Sequence, residues 1–127
     1  MHAFEYVAPS SVADAAAALA KEDAKLLAGG QTLLPTMKQR LAAPAVLVDL
    51  RKIPGVSEVS RQGDALVIGA MARHADVAGS AVVKDAIKGL ATLAGAIGDP
   101  AVRHRGTIGG SLANNDPAAD YPAAALA

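Results

Sequence analysis

Cysteine and tryptophan are absent from this 127-residue chain, and its aromatic side chains are one phenylalanine and two tyrosines. Without thiols the chain has no disulfide framework, no thiolate zinc site and no iron-sulfur ligation of its own. With only Phe4, Tyr6 and Tyr121 to supply rings, the core falls to Leu, Ile, Val and Ala. An excess of one charge is also lacking: twelve basic and twelve acidic residues cancel, and no like-charge run could follow a nucleic-acid backbone or an acidic membrane. DNA, RNA and lipid are therefore excluded as expected partners. No stretch reaches the roughly 20 apolar residues of a membrane span, so membrane insertion is not expected. The N-terminal Met1-His2-Ala3-Phe4-Glu5-Tyr6 lacks the pattern of a secretory signal. The expected location is cytoplasmic.

The length suits one domain or two small subdomains. Phe4 to Val7 reads as a short strand closed by Ala8-Pro9. Ser11 with Asp14 resembles a capping box that opens a helix running to Glu22, with Val12, Ala15, Ala16 and Leu19 on its apolar stripe. Lys25 to Ala28 is a strand-length run, Leu33 to Arg40 is helical with Thr32 as N-cap, and Val46 to Asp49 is a buried strand. This βαβαβ order predicts a small, largely parallel sheet over residues 1–54. Beyond Pro54-Gly55 the pattern changes to a hairpin, Val56 to Ser60 and Ala65 to Ala70 around Gln62-Gly63-Asp64, which opens a second subdomain over residues 55–127. A helix follows Met71, with His74 near its start. The spacing of Val83, Ile87, Leu90, Ala94 and Ile97 predicts one helix over Ala81 to Ile97. Gly89 and Gly95 each cost that helix about 1 kcal/mol, which implies close packing. Residues 98–117 read as a long irregular stretch rich in Gly, Asn, Asp and Pro.

Two glycine pairs mark the candidate site. The first is Ala28-Gly29-Gly30-Gln31-Thr32, continuing into Leu33, and the second is Thr107-Ile108-Gly109-Gly110-Ser111. Glycine admits positive φ and lets a ligand approach the backbone, and free amides favour an anion, so two such turns point to a ligand with two phosphates. Around the second turn Arg103, His104 and Arg105 raise the local potential, and Ser111, Asn114, Asp116 and Asp120 could hydrogen-bond hydroxyls. Two plainer readings stay open: Gly-Gly serves turn geometry alone, and the arginines pair with Asp99 and Asp116. Neither turn is the GxGxxG of a dinucleotide fold or ends in the Gly-Lys-Ser/Thr of a P-loop. His2, His74 and His104 are too scattered to form a metal motif, and no nucleophile-base pair stands out. No catalytic side chain and no metal ligand is expected.

At these motifs the chain resembles the FAD-binding medium subunit of the molybdenum hydroxylases, the carbon monoxide dehydrogenase and xanthine dehydrogenase-like enzymes. The resemblance runs through Phe4-Glu5-Tyr6, Ala28 to Pro35, Val48-Asp49-Leu50, Ile68-Gly69-Ala70, Arg73-His74, Ile97-Gly98-Asp99 and Tyr121 to Ala124. Its most specific stretch is Arg105 to Asn114; His104 stands where the family often has asparagine. The resemblance implies an α+β FAD-binding fold of the vanillyl-alcohol oxidase (PCMH) type, built from two small α/β subdomains with FAD between them. It implies that Ala28 to Leu33 and Thr107 to Ser111 hold the pyrophosphate, and that Asn114, Asp116 and Asp120 lie along the ribityl chain. The partners it implies are a molybdenum-cofactor large subunit and a [2Fe-2S] small subunit, in a hetero-oligomer whose electrons reach FAD and then an external acceptor. Because family members continue further, the expectation is a truncated or split subunit with an exposed apolar C-terminal segment. The alternative is a cofactor-free fragment that acts only as an interaction module.

Overall fold

The apolar run Val46-Leu47-Val48 is the centre of the first unit. In the computed structural model, which describes residues 1–127, the chain separates into two compact units, Met1–Val56 and Ser57–Ala127. In the first, β1 (Glu5–Val7), α1 (Val12–Leu19), β2 (Ala24–Leu27), α2 (Leu33–Lys38) and β3 (Val46–Asp49) follow one another. The three strands form a parallel sheet in the order β1-β3-β2, with Tyr6 opposite Leu47 and Leu27 opposite Asp49. Parallel neighbours need crossover connections, and α1 and α2 supply them. The chain steps outward from β1 to β2 and then back to β3, so right-handed crossovers put the two helices on opposite faces. The core divides accordingly. Val46 and Val48 pack with Ala15 and Ile53, whereas Leu47 packs with Leu27 and Met37. All four β3 residues are buried.

Side-chain chemistry fixes the ends of α1. The Ser11 hydroxyl accepts from the Asp14 amide at 3.0 Å and donates to the Asp14 carboxylate at 2.6 Å. The helix stops at Leu19 rather than Glu22, and its buried face is Ala15 with half-buried Ala18, while Val12 is 66% exposed. That small-residue face packs on Val46 and Val48 of the sheet. At the end of β3, Asp49 is 1% exposed, accepts from the Tyr6 hydroxyl at 2.6 Å and takes paired bonds from Arg51 in the 3-10 turn Leu50–Lys52. Burial alone would raise the Asp49 carboxyl, and the Arg51 and Tyr6 bonds outweigh it, leaving the group below its ordinary 3.8.

The second unit opens with the antiparallel hairpin β4 (Val59–Gln62) and β5 (Ala65–Ile68), whose pairing of Gln62 with Ala65 leaves Gly63-Asp64 as the turn. Helices α3 (His74–Gly79), α4 (Ala81–Ala86) and α5 (Lys88–Ala96) follow. The single helix expected over Ala81 to Ile97 is thus two. Ile87 breaks it with φ −142° and ψ 78°, and lies 51% exposed rather than on the buried stripe with Val83, Ala91 and Ala94. Close packing holds at neither glycine in the sense expected: a Cβ on Gly89 would meet nothing, and one on Gly95 would make an ordinary 3.7 Å contact with Ala78.

Residues 98–117 are also not the irregular stretch that their composition suggests. They contain α6 (Pro100–Arg103) and α7 (Ile108–Asn114), and α8 (Tyr121–Leu126) follows. Order comes from tertiary pairing: His74 N–H donates to Gly106 C=O, Ile108 N–H to Ala72 C=O, and Gly109 N–H to Ala70 C=O, at 3.1, 3.0 and 2.9 Å. Gly109 has to be glycine here, since a Cβ would sit 2.6 Å from both the side chain and the carbonyl oxygen of Ala70.

Replacing Asp49 by Asn should lower unfolding free energy by about 1 to 2 kcal/mol at neutral pH, because a charge-assisted bond to a largely exposed arginine is lost. Since the folded carboxyl titrates below 3.8, that stabilisation is complete above 3.8 and fades as pH falls through the folded value. Urea unfolding of both proteins at neutral and acid pH should therefore show the gap closing. Gly109→Ala should cost about 2 to 3 kcal/mol in the same measurement, as overpacking against backbone does. A neutral Gly109→Ala would contradict the close approach.

Candidate functional site

Strand β2 ends at Leu27 and the chain turns through Ala28, Gly29 and Gly30 into α2. Gly30 has φ +74°, a conformation open to glycine and strained for other residues, and it lets the chain double back over the sheet. Its carbonyl accepts from Leu34 N–H at 3.1 Å, and the Thr32 carbonyl accepts from the amide and hydroxyl of Thr36. The amides behave differently. None of those from Gly29 to Leu33 is taken by a backbone carbonyl. Thr32 occupies the N-cap position, but its hydroxyl makes no capping bond, so the expected side-chain cap is replaced by an open one. The Gln31 side chain reaches back to the Gly29 carbonyl at 3.3 Å. Gln31 and Thr32 are exposed. The result is a row of uncommitted N–H donors at the carboxyl end of a parallel sheet, where open α/β sheets place ligands.

The same end and face of that sheet hold Asp49. Leu27, Leu47 and Asp49 project to the α2 side, as the strand register and the Leu27-Met37-Leu47 cluster require. A bare buried carboxylate here would repel an anion. Arg51, raised above its ordinary value by its bonds to Asp49, removes that objection at 2.6 Å. Sequence reading missed this network, since Tyr6 and Asp49 lie 43 positions apart and only the strand order 1-3-2 brings them together.

The second glycine turn has another character. Thr107 is buried and caps α7, its hydroxyl accepting from Gly110 N–H at 3.1 Å. Ile108 and Gly109 amides go to Ala72 and Ala70 carbonyls, and Ser111 N–H goes to the Thr107 carbonyl at 3.0 Å. Every amide from Ile108 to Ser111 is thus committed within the chain, and the expected open backbone cradle is absent at this turn. What faces outward is polar side-chain chemistry: half-buried Ser111, then Asn114 at the end of α7, Asp116 and Asp120, all three exposed. Asn115 at φ +51° closes the helix, the Asp116 carboxylate accepts from Ala118 N–H at 2.9 Å, and Asp120 is the N-cap residue before α8.

The basic residues beside this turn are not paired with Asp99 and Asp116. Arg103 donates to the Ile97 and Gly98 carbonyls at 2.8 Å each, Asp99 caps α6 through Ala101 N–H, and Arg105 forms no ion pair. His104 spends Nδ1 on the Pro100 carbonyl at 2.7 Å. His74, by contrast, is buried against Tyr121. The sequence signal for that pair was their presence in two separate motif stretches, with nothing to link them.

No helix is long and apolar enough to cross a membrane. A family model described as the FAD binding domain in molybdopterin dehydrogenase matches residues 2–127. The carbon monoxide dehydrogenase medium chain of Hydrogenophaga pseudoflava is 47% identical over 126 residues, which are 98% of this chain and 44% of that protein. The nicotine 6-hydroxylase medium subunit of Paenarthrobacter nicotinovorans is 41% identical with the same coverage. Among solved structures, carbon monoxide dehydrogenase from Hydrogenophaga pseudoflava superposes with a TM-score of 0.95 at 48% identity, over 98% of this chain and 44% of that one. Quinoline 2-oxidoreductase from Pseudomonas putida 86 superposes at 0.91 with 39% identity, over 95% and 43%. The chain therefore spans less than half the length of the relatives it matches. With an α+β fold and a family match along nearly its whole length, the chain belongs to the FAD-binding domain family of the molybdopterin dehydrogenases.

Proposed function

We propose that this chain is the FAD-binding part of an electron-transfer subunit in a molybdenum-containing hydroxylase or dehydrogenase, working in the cytoplasm. In this reading it belongs to a hetero-oligomer with a molybdenum-cofactor large subunit and a [2Fe-2S] small subunit. The "medium chain" and "medium subunit" names of its relatives support such an assembly. FAD, when bound, supplies the redox chemistry, accepting electrons from iron-sulfur clusters and yielding them to an external acceptor; the chain supplies binding and placement. The observation that carries the proposal is the row of uncommitted amides from Gly29 to Leu33.

The residues fit the cofactor unequally. Ala28 to Leu33 suit a diphosphate: unpaired N–H donors, a glycine that lets the backbone turn away, and a neighbouring carboxylate already neutralised by Arg51. Thr107 to Ser111 serve by shape and by the Ser111 hydroxyl, since the amides from Ile108 to Ser111 are committed. Asn114, Asp116 and Asp120 are exposed acceptors and donors of the kind that ribityl hydroxyls take. No side chain is assigned a catalytic role.

Titrating the purified chain with FAD, read by quenching of flavin fluorescence, should give saturable binding. Thr32→Glu, which sets a carboxylate among the free amides, should weaken it by about tenfold or more with unchanged circular dichroism. Equal FAD affinity of Thr32→Glu and the parent would remove the diphosphate from this turn. No binding by either would favour the cofactor-free interaction module.

A further inference from the structure

His74 opens α3 and is 5% exposed. Nδ1 lies 3.1 Å from the Tyr121 hydroxyl, and the two rings stand 5.3 Å apart, tilted by 43°. Tyr121, at the start of α8, is 2% exposed and sits in a core cluster with Ala72, Val77, Val83, Ala91, Ala94 and Ile97. The other edge of the imidazole presses on Gly106, where an added Cβ would stand 2.6 Å from Nε2. Directly beside it, His74 N–H donates to the Gly106 carbonyl. One ring therefore joins three separate pieces of chain: the start of α3, the approach to α7 and the start of α8.

The surroundings suit a neutral imidazole. The residue is buried, Nε2 has no hydrogen-bond partner in the chain, and the N-terminus of a helix disfavours added positive charge, while the Tyr121 hydroxyl can serve Nδ1 as donor or acceptor. On its own helix the nearest acid, Asp76, is already bonded to Arg73 at 2.7 and 2.9 Å. At the N-cap of α8 Asp120 pulls the other way, favouring the imidazolium; Arg105 adjoins Gly106, and His104 is the C-cap of α6. Burial outweighs Asp120, and the imidazole sits below its ordinary 6.5. The same burial, with Asp120 adding to it, pushes the Tyr121 hydroxyl up to about 12, so it stays a neutral partner throughout the physiological range.

We infer that the His74–Tyr121 pair is an acid-sensitive clasp: it holds α8 and α7 in place while the imidazole is neutral and loosens them when it takes up a proton. Both residues are then positioning residues for Ser111, Asn114, Asp116 and Asp120, a last step that rests on the flavin reading given above. The folded imidazole titrates below 6.5, so the released chain binds the proton more readily. The clasp is at full strength above 6.5 and weakens as pH falls below it, by at most about tenfold in the closed-to-open ratio per pH unit.

Amide hydrogen exchange on the purified chain without FAD, expressed as protection factors between about pH 7.5 and about pH 5, tests this. Protection of the α7 and α8 amides should fall toward acid by up to about tenfold per unit, while that of the β4–β5 hairpin holds. His74→Gln keeps a group able to bond the Tyr121 hydroxyl but does not titrate, and should keep neutral-pH protection while losing the acid response. Tyr121→Phe should lower α8 protection at neutral pH. Parallel acid responses in the parent and His74→Gln, or no response in the parent, would overturn the clasp. Should His74→Gln fail to fold, NMR titration of the parent His74 ring decides, since titration at or above 6.5 also overturns it. These readings contain no flavin, so they stand or fall apart from an FAD titration of the same samples at neutral pH.

Discussion

Three backbone hydrogen bonds tie Ala70, Ala72 and His74 to Gly109, Ile108 and Gly106, and the organisation of the Ser57–Ala127 unit depends on them. They turn a sequence of loop-like composition into a capped helix. Two of them consume the Ile108 and Gly109 donors, and the Thr107 hydroxyl takes that of Gly110, so the second glycine pair offers none to a ligand. Gly109 is set by the closeness of Ala70, and Gly106 by the imidazole of His74. Glycine in this segment thus answers first to packing.

The first glycine turn lies under the opposite constraint. Gly30 bends the chain at positive φ so that α2 returns across the sheet, and the amides on the way are left without acceptors. Gln31 and Thr32 are exposed, where unsatisfied donors are tolerable because water can serve them and an anion serves them better; Gly30 is buried and Gly29 half-buried. Two turns of similar sequence therefore differ in physical character. One presents backbone donors, while the other presents side chains on a rigid helix.

Much of the Met1–Val56 unit was legible in the sequence. Its first strand shows as an aromatic-polar alternation and the other two as short, mostly apolar runs, Ser11 and Asp14 mark a helix start, and Gly29-Gly30 punctuates a strand-to-helix turn. The strand order was not legible, and with it went the Tyr6–Asp49–Arg51 network. Apolar spacing overstated the helix through Ile87, because periodicity records which residues could be buried and not where the backbone breaks. Composition understated residues 98–117, since Gly, Asn, Asp and Pro mark turns locally while the pairing that orders them comes from residues 70–74. Both glycine pairs were legible as candidate site residues; which amides remained free was decided by tertiary contacts that no local pattern shows.

The central claim is that a diphosphate is held by the amides of Gly29 to Leu33. It is tested most directly by amide NMR shifts of the isotopically labelled chain, titrated with FAD and, separately, with riboflavin, which lacks phosphate. The account predicts that FAD moves the Gly29, Gly30, Gln31, Thr32 and Leu33 resonances most among backbone amides and that riboflavin leaves them in place. FAD binding that leaves these amides unshifted, or riboflavin shifting them equally, would contradict it.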